Sequence, residues 1–281
     1  MRLAVTGLHG QVVSAMIERA PRGVELIALG RPRLDLTVRD AVLAALRAAR
    51  CDVIVNAAAY TEVDKAESEP EAAMRVNGDG AGYVAEIAAE LRAPLIHLST
   101  DYVFDGALGR PYREDDATAP TGAYGRSKLA GERRIAAIHP DHAILRTSWI
   151  YSPFGANFVT TMLRLAAGAG DELAVVTDEV GCPTYTGHLA PRLVQFAERR
   201  AAGVFHLAGA GHCSRNTFAK AIFEAAGLQL RVTETTQARL AMLAPRPPWS
   251  VLGSERGIEP LPSWRDGLAA YRALAPEVFG Q

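Results

Sequence analysis

The chain has 281 residues, of which 49% are hydrophobic and 22% are charged. This composition is typical of a globular protein and excludes a disordered or fibrous one. The 30 basic and 31 acidic residues give a formal net charge of -1, so the chain lacks the positive field with which proteins bind nucleic acid. Its length favours one large domain with a smaller appended lobe.

The sequence carries no sign of a membrane or export segment. The N-terminus enters an apolar strand directly and lacks the features of a signal peptide. No window approaches the ~18 uninterrupted apolar residues that a membrane span needs. We therefore expect a cytoplasmic protein without a membrane partner. The three cysteines are too few and too scattered for a disulfide framework, and no Cys or His pair has metal-ligand spacing, so no metal site is predicted.

Short runs rich in Val, Ile and Leu alternate with helical patterns through the first half of the chain, which is typical of βαβ units. The predicted strands are Arg2–Thr6, Val24–Leu29, Asp52–Asn56, Pro94–Ser99 and Ala143–Thr147. The predicted helices are Gln11–Ala20, Val38–Arg50, Pro70–Arg92 and Tyr124–Ala137. The predicted fold class is therefore α/β, a doubly wound parallel sheet of the Rossmann type.

The pattern loosens after about Trp149, which indicates a smaller α+β lobe. We expect residues 1–150 to form the dinucleotide-binding domain and residues 151–281 to form mainly a substrate lobe, from which the chain can cross back to the sheet. The predicted elements there are helices Asn157–Ala167, His188–Arg199 and Arg215–Ala226, and strand Ala174–Thr177. The stretch Pro245–Pro262 is dense in Pro, Gly and Trp, which favours a loop that closes over a site.

A turn with the pattern Gly-x-x-Gly, from Gly7 to Gly10, follows the first predicted strand and opens the first helix. At that place a parallel sheet directs backbone amides and a helix N-terminus toward a bound pyrophosphate. The motif alone is weak, because a tight βα turn also needs glycine. Val13 stands where the fingerprint has its third glycine, so the helix must pack against the strand in another way.

The loop after the second strand lacks the acidic residue that holds the adenosine ribose in this fingerprint. It contains Arg31 and Arg33 instead. Guanidinium groups bind a 2′-phosphate well, so NADPH is expected to be preferred, with NADH also possible. Two solvated arginines are the alternative. The predicted cofactor-binding residues are Gly7, Gly10, Gln11, Val12, Arg31, Asp35, Leu36, Ala58, Ala59, Tyr60 and Lys128.

The strongest signal is Tyr124-Gly-Arg-Ser-Lys128, together with Thr100 at the end of the fourth strand. Positions four apart share one face of a helix, so Lys128 can reach the space that Tyr124 faces. A neighbouring ammonium favours the phenolate and lowers a phenol pKa that is ordinarily ~10. The Thr100 hydroxyl can donate to a substrate carbonyl or to the phenol. The three residues predict a proton-transfer centre.

With its further motifs, the chain resembles the extended short-chain dehydrogenase/reductase family over nearly its whole length. The motifs are Gly7-x-x-Gly10-Gln11-Val12, Asp52-Val-Ile-Val-Asn-Ala-Ala-Ala59, Val63-Asp-Lys-Ala-Glu-Ser-Glu-Pro70, Ser99-Thr-Asp-Tyr-Val-Phe-Asp-Gly106, Tyr124-Gly-x-Ser-Lys128, Arg146-Thr-Ser-Trp-Ile-Tyr151 and Gly181-x-Pro-Thr184. The resemblance implies that the C4 keto group of dTDP-4-dehydro-L-rhamnose is reduced to give dTDP-L-rhamnose, with a nicotinamide as hydride donor.

The same resemblance assigns roles to single residues. Tyr124 would give the proton, Thr100 would adjust the tyrosine, and Lys128 would bind the nicotinamide ribose. Asp101 and Trp149 would contact the dTDP-sugar together with Thr100 and Tyr124. For Trp149 a buried structural aromatic is the alternative, and His97, which has apolar neighbours, is expected to be structural, as is His206.

Two departures from the family pattern limit what the resemblance implies. The late stretch Arg246–Gly253 lacks the Asn and Asp that the family usually has there, which leaves the exact hexose open. Some members dimerise through a glutamate-bound Mg²⁺, but the first helix here carries Ala15, so a homodimer is possible and no metal is assigned. The alternatives are another nucleotide-sugar 4-ketoreductase and a non-catalytic binding subunit of the same fold.

Overall fold

The computed structural model describes residues 1–168 and 170–280. Its strands, numbered along the chain, are β1 (Arg2–Thr6), β2 (Glu25–Leu29), β3 (Val53–Asn56), β4 (Leu95–Thr100), β5 (His142–Thr147), β6 (Ile150–Tyr151), β7 (Glu172–Val176), β8 (Val180–Gly181), β9 (Thr184–Tyr185), β10 (Gly203–His206), β11 (Gly209–Ala210), β12 (Cys213–Ser214), β13 (Arg231–Thr235) and β14 (Leu261–Ser263). The α-helices are α1 (Gln11–Glu18), α2 (Arg39–Ala49), α3 (Val63–Ser68), α4 (Pro70–Met74), α5 (Gly80–Leu91), α6 (Ala123–Ile138), α7 (Phe158–Ala166), α8 (Thr186–Arg199), α9 (Arg215–Ala225) and α10 (Trp264–Leu274).

Six of the described strands form one parallel sheet in the order β10-β5-β4-β3-β1-β2. All five strands predicted in the first half of the chain belong to it, which confirms the doubly wound α/β fold. The sixth, β10, comes from the C-terminal half and pairs with β5. The predicted boundary at residue 150 stays a prediction.

Helices cover both faces of this sheet because successive side chains of a strand point to opposite faces. Leu3 and Val5 contribute to a core formed with α1 and α8. Ala4, between them, contributes to a second core, formed with α2, α5 and α6. With both faces covered, the strands are nearly unbroken apolar runs, which is why the sequence revealed them.

The helical stretch predicted at Pro70–Arg92 is interrupted in its middle. A π-helical turn, Arg75–Asp79, separates α4 from α5. Such turns are rare and are frequent near functional sites. The α5 helix ends at Leu91, and the left-handed φ of 52° at the next residue, Arg92, stops it from continuing.

Beyond β6 the chain builds a smaller lobe around its own core, with side chains from α7, α9 and α10. The sequence predicted α7, β7, α8 and α9 close to their observed bounds, but not α3 or α10. In α10, Ser263 and Asp266 form a reciprocal capping box at the N-terminus. No helix among the described residues is long and apolar enough to cross a membrane.

The order of the strands decides where a ligand can bind. The chain runs from β1 to β2 on one side and then returns to place β3 on the other side of β1. At such a switch point, the loops after neighbouring strands separate and leave a crevice at their carboxyl ends. The turn after β1 and the loop after β3 line this crevice.

Candidate active site

Two adjoining cavities lie along the carboxyl edge of the sheet. The larger one, of about 640 Å³, extends from the turn after β1 to Tyr124, Lys128 and Trp149. The second, of about 520 Å³, lies beside Arg31 and Leu36. Both are lined by Gly7, His9, Ala58, Ala59 and Thr61, so they form one continuous cleft.

The turn after β1 has the backbone that a phosphate-binding turn needs. Gly7 has a φ of 106°, a conformation that side chains disfavour. A Cβ at Gly7 would lie 3.2 Å from Val13 Cγ2, so the first glycine makes room for the valine that replaces the third. Gly10 caps α1 without a side chain, which leaves the first amides of the helix to a ligand. These residues fit a dinucleotide pyrophosphate.

At the far end of the cleft, Arg31 and Asp35 form an ion pair, with Nε and Oδ2 2.9 Å apart. Asp35 also accepts bonds from the Thr37 amide and hydroxyl, at 2.9 and 2.7 Å. These bonds, and then the bond and charge of Arg31, lower the pKa of Asp35. Leu36 lines the cavity and Arg31 lies at its rim.

Tyr124 lies at the start of α6, half-buried in the larger cavity. Burial raises the pKa of the Tyr124 phenol well above its ordinary value, and a side-chain hydrogen bond with Thr100 acts in the opposite direction. The Tyr102 ring packs against Tyr124 edge to face, with centroids 5.8 Å apart. The phenol therefore keeps its proton at neutral pH and has one neighbour, Thr100, that stabilises the phenolate.

Lys128 is nearly inaccessible to solvent, with an exposed fraction of 2%. Its Nζ donates to the Leu98 carbonyl at 2.6 Å and lies 3.4 Å from His97 Nε2. Burial lowers the pKa of Lys128 to about 8, against the charge of Glu132. The predicted lowering of the phenol pKa by this lysine stays a prediction.

Two contacts set the position of α6. A Cβ at Gly125 would overlap the carbonyl oxygen of Tyr102, so glycine after Tyr124 lets the helix pack close to the end of β4. At its N-terminus the Ala123 amide donates to Glu67 Oε1 at 2.5 Å, and a carboxylate there is favoured by the helix dipole. Glu67 and Gly125 both belong to the sequence motifs, but their roles follow only from this packing.

The π-helical turn before α5 supports the other wall. Its Asn77 accepts the Tyr60 amide at 2.8 Å and donates to the Tyr60 carbonyl at 3.0 Å. The same Nδ2 donates to Ser127 Oγ at 2.9 Å, so one side chain joins the loop after β3 to the catalytic helix. Sequence analysis missed Asn77, although an Asn-Gly pair inside a helical pattern is unusual.

The Asp101 carboxylate accepts hydrogen bonds from the hydroxyl groups of residues that are distant along the chain. Ser250 Oγ donates to it at 2.5 Å and Ser148 Oγ at 2.9 Å. Burial raises the pKa of Asp101 to about 6, although both bonds lower it. Ser250 lies in the stretch Pro245–Pro262, which the sequence predicts to close over the site.

Trp149 lines the larger cavity with a left-handed backbone, φ 45°, which is rare for a bulky residue and is found at functional sites. The Arg215 guanidinium lies over its ring, 3.5 Å from the centroid, and pairs with Glu179 at 3.3 Å. A Cβ at Gly181 would clash with the indole. Sequence analysis missed Arg215, because a lone arginine at a helix start carries no distinguishing signal.

The structure brings nearly all of the predicted site residues to this cleft. Those that line it are Gly7, Gly10, Gln11, Val12, Arg31, Leu36, Ala58, Ala59, Tyr60, Thr100, Asp101, Tyr124, Lys128 and Trp149. Asp35 is held beside it by Thr37 and Arg31. Their individual roles stay predictions.

A Rossmann sheet with a dinucleotide-sized cleft and a tyrosine, lysine and threonine at its wall defines a nicotinamide-dependent short-chain reductase. The model of the RmlD substrate binding domain matches residues 1–275. The dTDP-4-dehydrorhamnose reductase of Sinorhizobium fredii is 47% identical over 282 residues, 95% of each chain. The chain therefore belongs to the RmlD family of dTDP-4-dehydrorhamnose reductases, which confirms the resemblance predicted from its motifs.

Two further relatives bear on cofactor and substrate. The crystal structure of dTDP-4-dehydrorhamnose reductase from Bacillus anthracis in complex with NADP superposes with a TM-score of 0.94 at 33% identity, covering 97% of this chain and 99% of that one. A probable dTDP-4,6-dihydroxy-2-methyloxan-3-one 4-ketoreductase of Streptomyces antibioticus is 40% identical over 287 residues, 99% of this chain and 96% of that protein.

Proposed function

We propose that this protein reduces the C4 keto group of dTDP-4-dehydro-L-rhamnose to give dTDP-L-rhamnose, with NADPH as the preferred cofactor. The observation that carries the proposal is that Tyr124, Thr100, Lys128 and the phosphate turn all line one cavity. The name of the S. fredii relative, dTDP-4-dehydrorhamnose reductase, supplies the substrate.

In the proposed reaction the bound nicotinamide supplies a hydride to the carbonyl carbon. Tyr124 donates its proton to the carbonyl oxygen, which develops negative charge as the carbonyl is reduced. Thr100 stabilises the phenolate that is left. Lys128, whose pKa of about 8 is close to neutrality, binds the nicotinamide ribose and returns a proton to the phenolate.

Recognition of the dTDP-sugar requires a cation for its diphosphate. Arg215 is the arginine among the described residues that line the larger cavity. Its guanidinium packs over the Trp149 ring, which restricts the motion of the side chain. We assign Arg215 to the diphosphate and Trp149 and Asp101 to the sugar nucleotide, because charge-assisted hydrogen bonds to phosphate are among the strongest available in such a site.

The proposed preference for NADPH rests on the loop after β2. In that loop Arg31 lines the second cavity, to which we assign the adenosine, and a 2′-phosphate there would compete with Asp35 for the guanidinium. The B. anthracis relative was solved in complex with NADP. A homodimer and a cytoplasmic location also stay predictions.

A second candidate is reduction of another dTDP-4-keto sugar. The S. antibioticus relative is named as a 4-ketoreductase of a different sugar, and one departure from the family pattern, the missing Asn and Asp, lies in the stretch Arg246–Gly253. This stretch contains Ser250, which binds Asp101, so it can influence the choice of hexose.

The test follows NADPH oxidation with enzymatically generated dTDP-4-dehydro-L-rhamnose and identifies the product against dTDP-L-rhamnose. We expect turnover, and a kcat lower by ~10²- to 10⁴-fold in Tyr124→Phe, which removes the general acid. Tyr83→Phe, in α5 and away from the cleft, is the control and should leave kcat unchanged. Folded protein that does not oxidise NADPH with this sugar, or that prefers another dTDP-keto sugar, would reject the substrate assignment.

A further inference from the structure

A buried relay of hydrogen bonds leads from the phosphate turn toward Lys128. Its first member is Thr6, the last residue of β1. The Thr6 hydroxyl oxygen accepts bonds from the backbone amides of Ala57 and Ala58, at 3.1 and 3.0 Å. A hydroxyl has two acceptor sites and one proton. Both acceptor sites are therefore filled, and the proton is left to donate to Asn56 Oδ1, 2.7 Å away.

This bond fixes the orientation of the Asn56 amide. Its Nδ2 faces His97 Nδ1 at 3.0 Å and donates to it. The flipped amide would direct an N–H at the Thr6 oxygen, which has no acceptor site left. His97 Nδ1 therefore carries a lone pair. Because burial lowers the pKa of His97 well below its ordinary value, the ring is neutral and its proton is on Nε2.

The Nε2–H of His97 meets Lys128, whose Nζ lies 3.4 Å away. An ammonium group has three donors and no acceptor. The charged form of Lys128 therefore cannot accept the His97 Nε2–H, and two N–H donors face each other at this contact. The neutral amine has a lone pair and accepts the bond. The contact between His97 and Lys128 therefore discriminates between the two charge states of the lysine.

We propose that His97, held as the Nε2–H tautomer by Asn56 and Thr6, is a positioning residue that favours the neutral amine of Lys128 over its ammonium form. The effect on turnover rests on the proposed function, because there Lys128 returns a proton to Tyr124. The charge state of Lys128 can be measured without substrate.

The other charged groups around this pair are few. On α6 itself, Glu132 raises the pKa of Lys128 against the effect of burial. Its carboxylate is already bound by Arg146 of β5, with Nη2 and Oε2 2.7 Å apart, and by Ser99 of β4. Burial is the largest cause of the low His97 pKa, and the charges of Lys128 and His142 lower this pKa further. Burial and the neighbouring positive charges therefore both disfavour a protonated, positively charged His97 ring.

The first measurement is the titration of Lys128 by NMR. The sequence has three lysines, Lys65, Lys128 and Lys220, so protein labelled in lysine gives a spectrum that single substitutions can assign. His97→Gln can turn an amide oxygen toward the ammonium and should raise the Lys128 midpoint by about one pH unit. His188→Gln, on α8, is the matched control and should leave the midpoint in place. An unchanged Lys128 midpoint in folded His97→Gln would overturn the proposal.

The second measurement needs no variant, since the ¹⁵N shifts of the imidazole report which nitrogen carries the proton. We expect the wild-type His97 to be protonated at Nε2. Asn56→Asp, which places a carboxylate opposite Nδ1, should move the proton to Nδ1. A wild-type ring protonated at Nδ1 contradicts the proposal. If both NMR results hold but the protein does not reduce the dTDP-sugar, the proposed function fails and the role of His97 in setting the Lys128 charge stands.

Discussion

At the scale of single residues, burial shifts the pKa values of Tyr124 and Lys128, the two ionisable groups of the proposed catalytic centre, in opposite directions. It raises the pKa of Tyr124 and lowers that of Lys128 to about 8. Near neutral pH the Tyr124 phenol is therefore protonated. The Lys128 side chain loses its charge at a slightly higher pH, around its pKa of about 8. A fall in activity on the alkaline side of neutrality is expected to report Lys128 rather than Tyr124.

Thr100→Val is expected to lower kcat by roughly 10- to 100-fold, the size of a lost hydrogen bond to a charged group. The Thr100 bond lowers the pKa of Tyr124, so its removal raises that pKa further and makes the phenol a weaker acid. The check is kcat against pH, with Thr121→Val on the exposed loop before α6 as control. An unaltered kcat in Thr100→Val would contradict the hydrogen bond's role.

The sequence predicts the residues of this centre but not the neighbours that complete it. Tyr124 and Lys128 are recognisable because helical spacing places them on one face. Asp101 is bound by Ser148 and Ser250, which lie 47 and 149 positions away along the chain. Such contacts depend on how the loops close in the fold, and no local pattern encodes them.

At the scale of elements, the N-terminus of α6 depends on a carboxylate from α3. Glu67 accepts the Ala123 amide, one residue before Tyr124, and its side chain is mostly buried. The sequence pattern gave no prediction of α3, because six residues are too short for a clear helical period. The N-terminus of α6 is therefore capped by an element that only the structure reveals.

Glu67→Ala should destabilise the protein by about 1 kcal/mol, the usual size of a lost N-cap. It should also lower kcat, because Tyr124 lies in the first turn of the helix that loses its cap. Urea denaturation and steady-state kinetics measure the two effects. Glu198→Ala, at an exposed glutamate of α8 away from the cleft, serves as the control. Equal kinetics and stability for Glu67→Ala and wild type would show that the cap is not needed.

The proposed preference for NADPH depends on the loop between β2 and α2. Its Arg31 side chain is 71% exposed and paired with Asp35, so solvent and the carboxylate both weaken what it offers to a 2′-phosphate. We therefore expect a moderate preference for NADPH over NADH, at the lower end of the affinity difference that one charged hydrogen bond supplies.

Arg31→Ala should reduce NADPH affinity by about tenfold and leave NADH affinity unchanged, because NADH has no phosphate there. Asp35→Asn should act in the opposite direction, since it frees the Arg31 guanidinium without removing the side chain. Kd values for both cofactors, measured by fluorescence titration, decide the matter. Wild-type protein that binds the two equally well would return Arg31 to a solvated loop residue.

At the scale of the whole molecule, a buried ion pair joins the sheet to the catalytic helix. Arg146 of β5 binds Glu132 of α6 through two bonds of 3.0 and 2.7 Å, and both side chains are about 5% exposed. Ser99, next to Thr100, donates to the same carboxylate. The two central strands and α6 therefore form one rigid support for the site.

Glu132→Gln leaves the Arg146 guanidinium buried without its counter-ion and should cost about 3–5 kcal/mol of unfolding free energy. Urea denaturation at pH 7 measures it. The exposed pair of Arg47 and Glu90, also bidentate, supplies the control, and Arg47→Ala should change stability far less. If both variants lost a similar amount of unfolding free energy, burial would not make the Arg146–Glu132 pair more important for stability than the exposed Arg47–Glu90 pair.

The placement of β10 has a consequence for synthesis of the protein. The edge of β5 is covered by a strand that the ribosome makes more than fifty residues later. At ~5–20 residues per second, the nascent sheet shows an open, apolar edge for several seconds. The N-terminal half is thus open to pairing with other nascent chains before its own sequence can protect it. Slow codons between β5 and β10 would lengthen that exposure and are expected to lower the yield of folded protein, even though they alter no residue of the site.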